Sequence, residues 1–87
     1  MQYEVMIQVV DATNGNLIPD VELNYIIDNG DEQHSGPPNT GEFKMSIMSG
    51  SFLYIAANRP SYNGRSMNGY ITHQTIWSLA LPPLVLT

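Results

Sequence analysis

The 87 residues contain no cysteine, so neither a disulfide nor a thiolate–metal site can help to hold the chain together. Stability must come from packing and from ladder hydrogen bonds. The compartment stays open, because disulfides would only have marked an oxidising one. Positive charge is also scarce: Lys44, Arg59 and Arg65 face eight acidic residues, for a formal net charge of −5. Phosphate backbones and anionic lipid are gripped by Lys and Arg, so neither nucleic acid nor a membrane surface is an expected partner. The acidity serves solubility.

Long apolar runs are missing as well. The longest are a few residues, against the ~20 that a membrane-spanning helix needs. Met1-Gln2-Tyr3-Glu4-Val5 has neither the basic region nor the apolar stretch of a signal peptide, and reads directly as a strand. This fits a module cut from a longer secreted protein, or else a compact cytosolic or virion-borne chain. A length of 87 residues implies one domain, 1–87. Such a chain hides roughly 60–65% of its unfolded surface, which leaves no room for a deep cleft beside a core. Helical periodicity is the last absence. No segment of ten or more residues spaces its apolar positions for a helix, and Pro19, Pro37, Pro38, Pro60, Pro82 and Pro83 interrupt nearly every window.

What is present is alternation, the mark of half-buried strands. Tyr3, Val5, Ile7 and Val9 share one face, as do Val21, Leu23, Tyr25 and Ile27, and then Phe43, Met45 and Ile47. Phe52 to Ala57 is apolar on both sides, as in a central strand. Tyr70 to Leu81 reads as one long strand or two shorter ones, and Leu84 to Leu86 as a last short one. Asn-Gly at 14–15, 29–30, 63–64 and 68–69 and Ser-Gly at 49–50 supply turns, with Asp28-Asn29-Gly30-Asp31 the cleanest. Two loops are expected, Gln33–Gly41 and the long polar Asn58–Gly69. Six to seven strands with this punctuation indicate an all-β sandwich.

The run Val9-Val10-Asp11-Ala12-Thr13-Asn14-Gly15-Asn16-Leu17-Ile18-Pro19-Asp20-Val21 resembles the opening of carboxypeptidase-regulatory-like domains, which share the transthyretin-like sandwich. Asn39-Thr40-Gly41-Glu42-Phe43 is similar to that family's turn into a strand, and Phe52 to Ala57 followed by Pro60-Ser61-Tyr62 to its strand ending in a Gly-Tyr step. Leu79 to Leu84 resembles its terminal strand. The chain departs from the pattern at Asp20 and Ser61, where the family more usually has glycine, and in the long loop before Tyr70. The resemblance implies an immunoglobulin-like or transthyretin-like Greek-key sandwich, in a family whose members mostly serve as spacers, folding aids or adhesion modules. Related hydroxyisourate hydrolases use strand His and Arg residues and a C-terminal Tyr-Arg-Gly-Ser. Here the first strand has no His or Arg and the chain ends Leu84-Val85-Leu86-Thr87, so that activity is not expected. A Lys–Asn crosslink of the kind found in similar surface domains would need Lys44, which sits on the outward face of its strand.

No catalytic or metal constellation stands out, and no cofactor is expected. His34 and His73 are lone histidines on different elements. Asp28 to Glu32 gathers oxygen ligands suited to calcium, but without the longer spacing of a helix–loop–helix site, and reads as a solvated hairpin turn. Ser35, Ser61 and Ser66 lack a nucleophile elbow, and the acids are scattered. The cluster with binding potential is Arg59, Tyr62, Asn63, Arg65, Asn68, Tyr70 and Trp77, where amphipathic rings sit beside amides and guanidinium groups. The competing roles are a corner tyrosine for Tyr62 and a core tryptophan for Trp77. The expected function is a non-catalytic structural or adhesive module of a larger surface, secreted or virion-associated protein, with a protein partner or neighbouring domains. The alternatives are a carbohydrate-binding module using Tyr62, Tyr70 and Trp77, or a filament or capsid subunit self-associating through its first strand or the strand after Pro82-Pro83.

Overall fold

A computed structural model describes residues 1–84. The strands are β1 (Gln2–Asp11), β2 (Glu22–Ile27), β3 (Gln33–Ser35), β4 (Glu42–Met48), β5 (Phe52–Asn58), β6 (Arg65–Tyr70) and β7 (Thr75–Leu81), with no helix among the described residues. They form two sheets, β4-β1-β7 and β3-β2-β5-β6, an all-β sandwich. Each strand turns alternate side chains inward. Val5, Ile7 and Val9 of β1 meet Leu23 of β2 and Leu53, Ile55 and Ala57 of β5 in one buried cluster, closed by Ile18, Val21, Ile47, Ile71, Leu79 and Leu81. The expected alternation therefore holds in β1, β2 and β4, and β5 is central, between β2 and β6.

Two pairings shape the molecule. β1 runs antiparallel to β4, from Gln2 opposite Met48 to Gln8 opposite Glu42. On its other side it runs parallel to β7, from Val5 opposite Thr75 to Asp11 opposite Leu81. Beyond Gln8 the chain returns on itself to keep β1 paired: the Ile18 N–H donates to the Val9 carbonyl at 2.9 Å, and the Asp11 N–H to that of Asn16 at 2.8 Å. Gly41 passes over this return with φ +88°, and a side chain there would collide with the Ile18 backbone.

Turns form near Asn14-Gly15, Asn29-Gly30 and Ser49-Gly50, as expected. At the β2–β3 turn the left-handed residues are Asp28 and Asn29, at φ 52° and 59°, one position earlier than the Asn-Gly pair suggests. Gly50, at φ +87°, carries the chain from β4 across to the other sheet. Both expected loops, by contrast, contain strands. Gln33–Ser35 pairs with β2, and Arg65–Tyr70 pairs with Phe52 to Ala57 of β5, so Asn68-Gly69 lies inside a strand. These polar edge strands expose most of their side chains and so carry no alternating apolar face in the sequence. Tyr70 to Leu81 is broken at 71–74, where Ile71 dives into the core. The short strand expected from Leu84 lies, beyond Leu84 itself, outside the described residues.

Candidate functional site

The seven residues singled out do not form one surface. Arg59 and Tyr62 lie together at the pole where β1 ends. The Tyr62 hydroxyl donates to the Asp11 carboxylate at 2.9 Å, and the Arg59 Nε–H donates to the Pro19 carbonyl at 2.7 Å. The Tyr62 N–H reaches the Arg59 carbonyl at 3.1 Å, the Asn63 N–H the Pro82 carbonyl at 2.8 Å, and the Leu84 N–H the Ser61 carbonyl at 2.9 Å. These bonds staple segment 59–63 to both β1 and the chain leaving β7. Tyr62 therefore acts as a corner tyrosine, not as a free ring.

Asp11 is the centre of this knot. Its carboxylate accepts from the Thr13 N–H at 2.7 Å, from the Thr13 hydroxyl and from Tyr62. The Thr13 hydroxyl and N–H, with the Tyr62 hydroxyl after them, hold the Asp11 carboxyl below its ordinary range. The same bond pushes the Tyr62 phenol above its usual value, because ionising it would give up the proton donated to Asp11; desolvation and the nearby Asp11 charge add to this. A small cleft of about 180 Å³, lined by Asp11, Asn14, Asn16, Arg59 and Tyr62, opens beside the knot.

Asn68 and Tyr70 sit elsewhere, on the outer face of the β3-β2-β5-β6 sheet, opposite Tyr54 and Phe52. Tyr70 is 71% exposed and meets Phe52 edge to face, at 5.1 Å and 67°, which is not the coplanar pair that a sugar platform uses. Arg65 starts β6 and borders a wider open groove of about 710 Å³ with Asn24, Tyr54, Ala56, Asn58 and Ser66. Trp77 points inward from β7, half-buried against the core and next to Gly69. It packs on the rim of the core at the open side of the sandwich, separate from Tyr62 and Tyr70.

Two structural side chains have no signature in the sequence. Asn39 accepts from the Val21 and Gly41 N–H groups at 3.2 and 3.1 Å and donates to the Val21 carbonyl at 2.9 Å, fixing the loop before β4 to the start of β2. Asp28 accepts from the Phe52 N–H at 2.8 Å, which with the Ser51 side chain lowers its pKa and ties the β2–β3 turn to β5. Nothing in the sequence pairs residues so far apart. Among the described residues no three His, Cys, Asp or Glu side chains gather as a metal site, and Lys44 is exposed on β4. No family model matches the chain, and no curated protein does.

Proposed function

We propose that this chain is a non-catalytic structural or adhesive module, one domain of a larger surface, secreted or virion-associated protein, acting as an in-line spacer between neighbouring domains or protein partners. The observation that carries this is the parallel pairing of β1 with β7. Because the two strands run the same way, the chain enters at one pole and leaves at the other, along a body 47 Å long and 24 Å by 22 Å across. The ties from Arg59, Tyr62 and Asn63 brace the exit pole, a structural use for residues that could otherwise bind. Assignment to the transthyretin-like, carboxypeptidase-regulatory-like Greek-key sandwiches is supported by Asp20 and Ser61. At these two positions, where the family more usually has glycine, the backbone is left-handed, at φ 58° and 75°.

Two copies joined head to tail test the in-line role by small-angle scattering. A maximum dimension close to twice that of one copy is expected; a value near that of a single copy overturns it.

The groove on the outer sheet face favours a second reading, carbohydrate binding. Ala56 forms a low floor, Tyr54 offers a ring, and Asn24, Asn58, Ser66 and Arg65 offer hydrogen-bonding groups. The ring is Tyr54, rather than Tyr62 or Trp77. A glycan array on which binding is lost in Tyr54→Ala and kept in Tyr62→Phe supports this reading, and an array without binding removes it.

A further inference from the structure

We infer that the free edge of β7 is a pairing surface for a second copy of this chain, joined strand to strand in antiparallel register. Among the described residues four strands have an open edge: β3, β4, β6 and β7. Exposed edges are templates for another chain, and proteins blunt them with charge, proline or shortness. β3 has only three residues and runs into Pro37-Pro38; β4 carries Glu42 and Lys44; β6 carries Arg65 and an interior Gly69. β7 reads Thr-Ile-Trp-Ser-Leu-Ala-Leu over seven residues, with no charge, no proline and no glycine. Among the described residues it alone of the four combines this length with no charge, proline or glycine inside the strand, Pro82-Pro83 closing only its C-terminal end.

The backbone of β7 is arranged to pair. The Leu81 carbonyl accepts from the Ala12 N–H at 3.1 Å, so it faces β1. By the two-residue period of a strand, Thr75, Trp77 and Leu79 face β1 as well, and the N–H and C=O groups of Ile76, Ser78 and Ala80 face outward. Among the described residues none of these outward groups has a backbone partner. Apolar surface flanks them on both sides. Ile76 is 63% exposed on the outer face, and the half-buried Trp77 is on the inner one.

The geometry requires extended backbone, and the charge distribution selects a second copy. All eight acidic residues lie between Glu4 and Glu42, so β5, β6 and β7 carry none. A chain with net charge −5 repels its copies, but least across the side that β6 and β7 share. An uncharged strand also sets no like charges opposite each other when it pairs with itself. In a register centred on Ser78, Ile76 lies opposite the second copy's Ala80. The three outward pairs then exchange about six hydrogen bonds, two for each pair. The two three-stranded sheets become one, and the exposed parts of Ile76 and Trp77 are covered. Both poles stay free, so this pairing does not depend on the in-line role.

Sedimentation across a hundredfold range of concentration, combined with amide exchange, tests the pairing. The mass is expected to rise from 9.7 kDa to twice that value. The Ile76, Ser78 and Ala80 amides are expected to gain protection with concentration. Ile76→Lys changes an exposed side chain, and is expected to weaken dimerisation by about tenfold or more. Met48→Lys, at an exposed site on β4, is expected to leave it unchanged. A chain monomeric throughout overturns the inference, as does a dimer indifferent to Ile76→Lys. Open-ended aggregation, or a dimer in which those three amides stay unprotected, overturns it too.

Discussion

Asp20 and Ser61 hold left-handed backbone, where a side chain crowds the following carbonyl at a cost of roughly 1–2 kcal/mol. Asp20 offsets some of this by accepting from the Asn39 N–H at 3.2 Å, while its own N–H donates to the Asn39 carbonyl at 3.0 Å. For Ser61 the only bond found among the described residues is through its carbonyl, which accepts from Leu84. Ser61→Gly relieves the crowding but frees the unfolded chain by about 0.4–1 kcal/mol, so it is expected to be neutral or slightly stabilising in urea denaturation. Ser61→Val adds a β-branch to the same φ, and is expected to lower stability by about 1–2 kcal/mol. The hydrogen-bonded acids make stability depend on pH. Asp11 and Asp28 have depressed carboxyl pKa values in the folded state. Their contribution is therefore complete above the ordinary carboxylate range and lost as pH falls below about 4. Tyr62 is raised, so its contribution is complete below about pH 10 and lost as pH climbs through its folded value. Urea midpoints are expected to be flat at neutral pH and to drop at both ends. Asp28→Asn should weaken only the acid limb, whereas Tyr62→Phe should weaken the alkaline limb and, through the bond lost to Asp11, part of the acid one.

At the scale of elements, the strands legible in the sequence are those with a core face to declare. In β1 the alternation of Val5, Ile7 and Val9 with Glu4, Met6 and Gln8 reads directly, because one side is buried and the other wet. In β5 the apolar outer face of Phe52, Tyr54 and Ala56 signals a strand with neighbours on both sides. β3 and β6 give no such signal. β6 contributes to the interior only through Met67 and the glycine beside Trp77, so its sequence is that of a polar loop. The seven candidate residues, five from the expected loop Asn58–Gly69 plus Tyr70 and Trp77, therefore divide among a stapled corner, an outer sheet face and a half-buried position on β7. The ties from Asn39 and Asp28 were invisible because they join residues 18 and 24 apart through backbone groups, which leave no mark on composition. Asn39→Ala strips two N–H donors and one carbonyl of their partner, and is expected to cost about 1–3 kcal/mol, read by denaturant unfolding. Ile55→Ala, at the centre of the buried cluster, is expected to cost about 2–5 kcal/mol through lost burial and the cavity left behind.

For the whole molecule, the direction in which the chain is loaded decides how it fails. Tension between Met1 and the segment after β7 pulls β1 and β7 in opposite directions along their common axis. The ladder from Val5–Thr75 to Asp11–Leu81 then bears load in shear, with every rung strained at once. The knot of Asp11, Tyr62 and Pro82-bound Asn63 lies at the exit pole and resists the first slip of β7. Tension between Met1 and Gly50 acts differently. Both lie at the entry pole, where the Ser49 N–H donates to the Met1 carbonyl at 2.9 Å. There β1 and β4 unzip rung by rung, as an antiparallel pair pulled from a single end does. Unfolding under force is governed by the barrier rather than by the equilibrium stability, so the two directions separate the effect of topology from that of packing. Single-molecule stretching is expected to give clearly higher unfolding forces for the end-to-end direction than for the Met1–Gly50 direction, and Tyr62→Phe is expected to narrow the gap. Equal forces in both directions would mean that the parallel ladder does not bear the load, and the braced exit pole would then stabilise the fold without serving an in-line role.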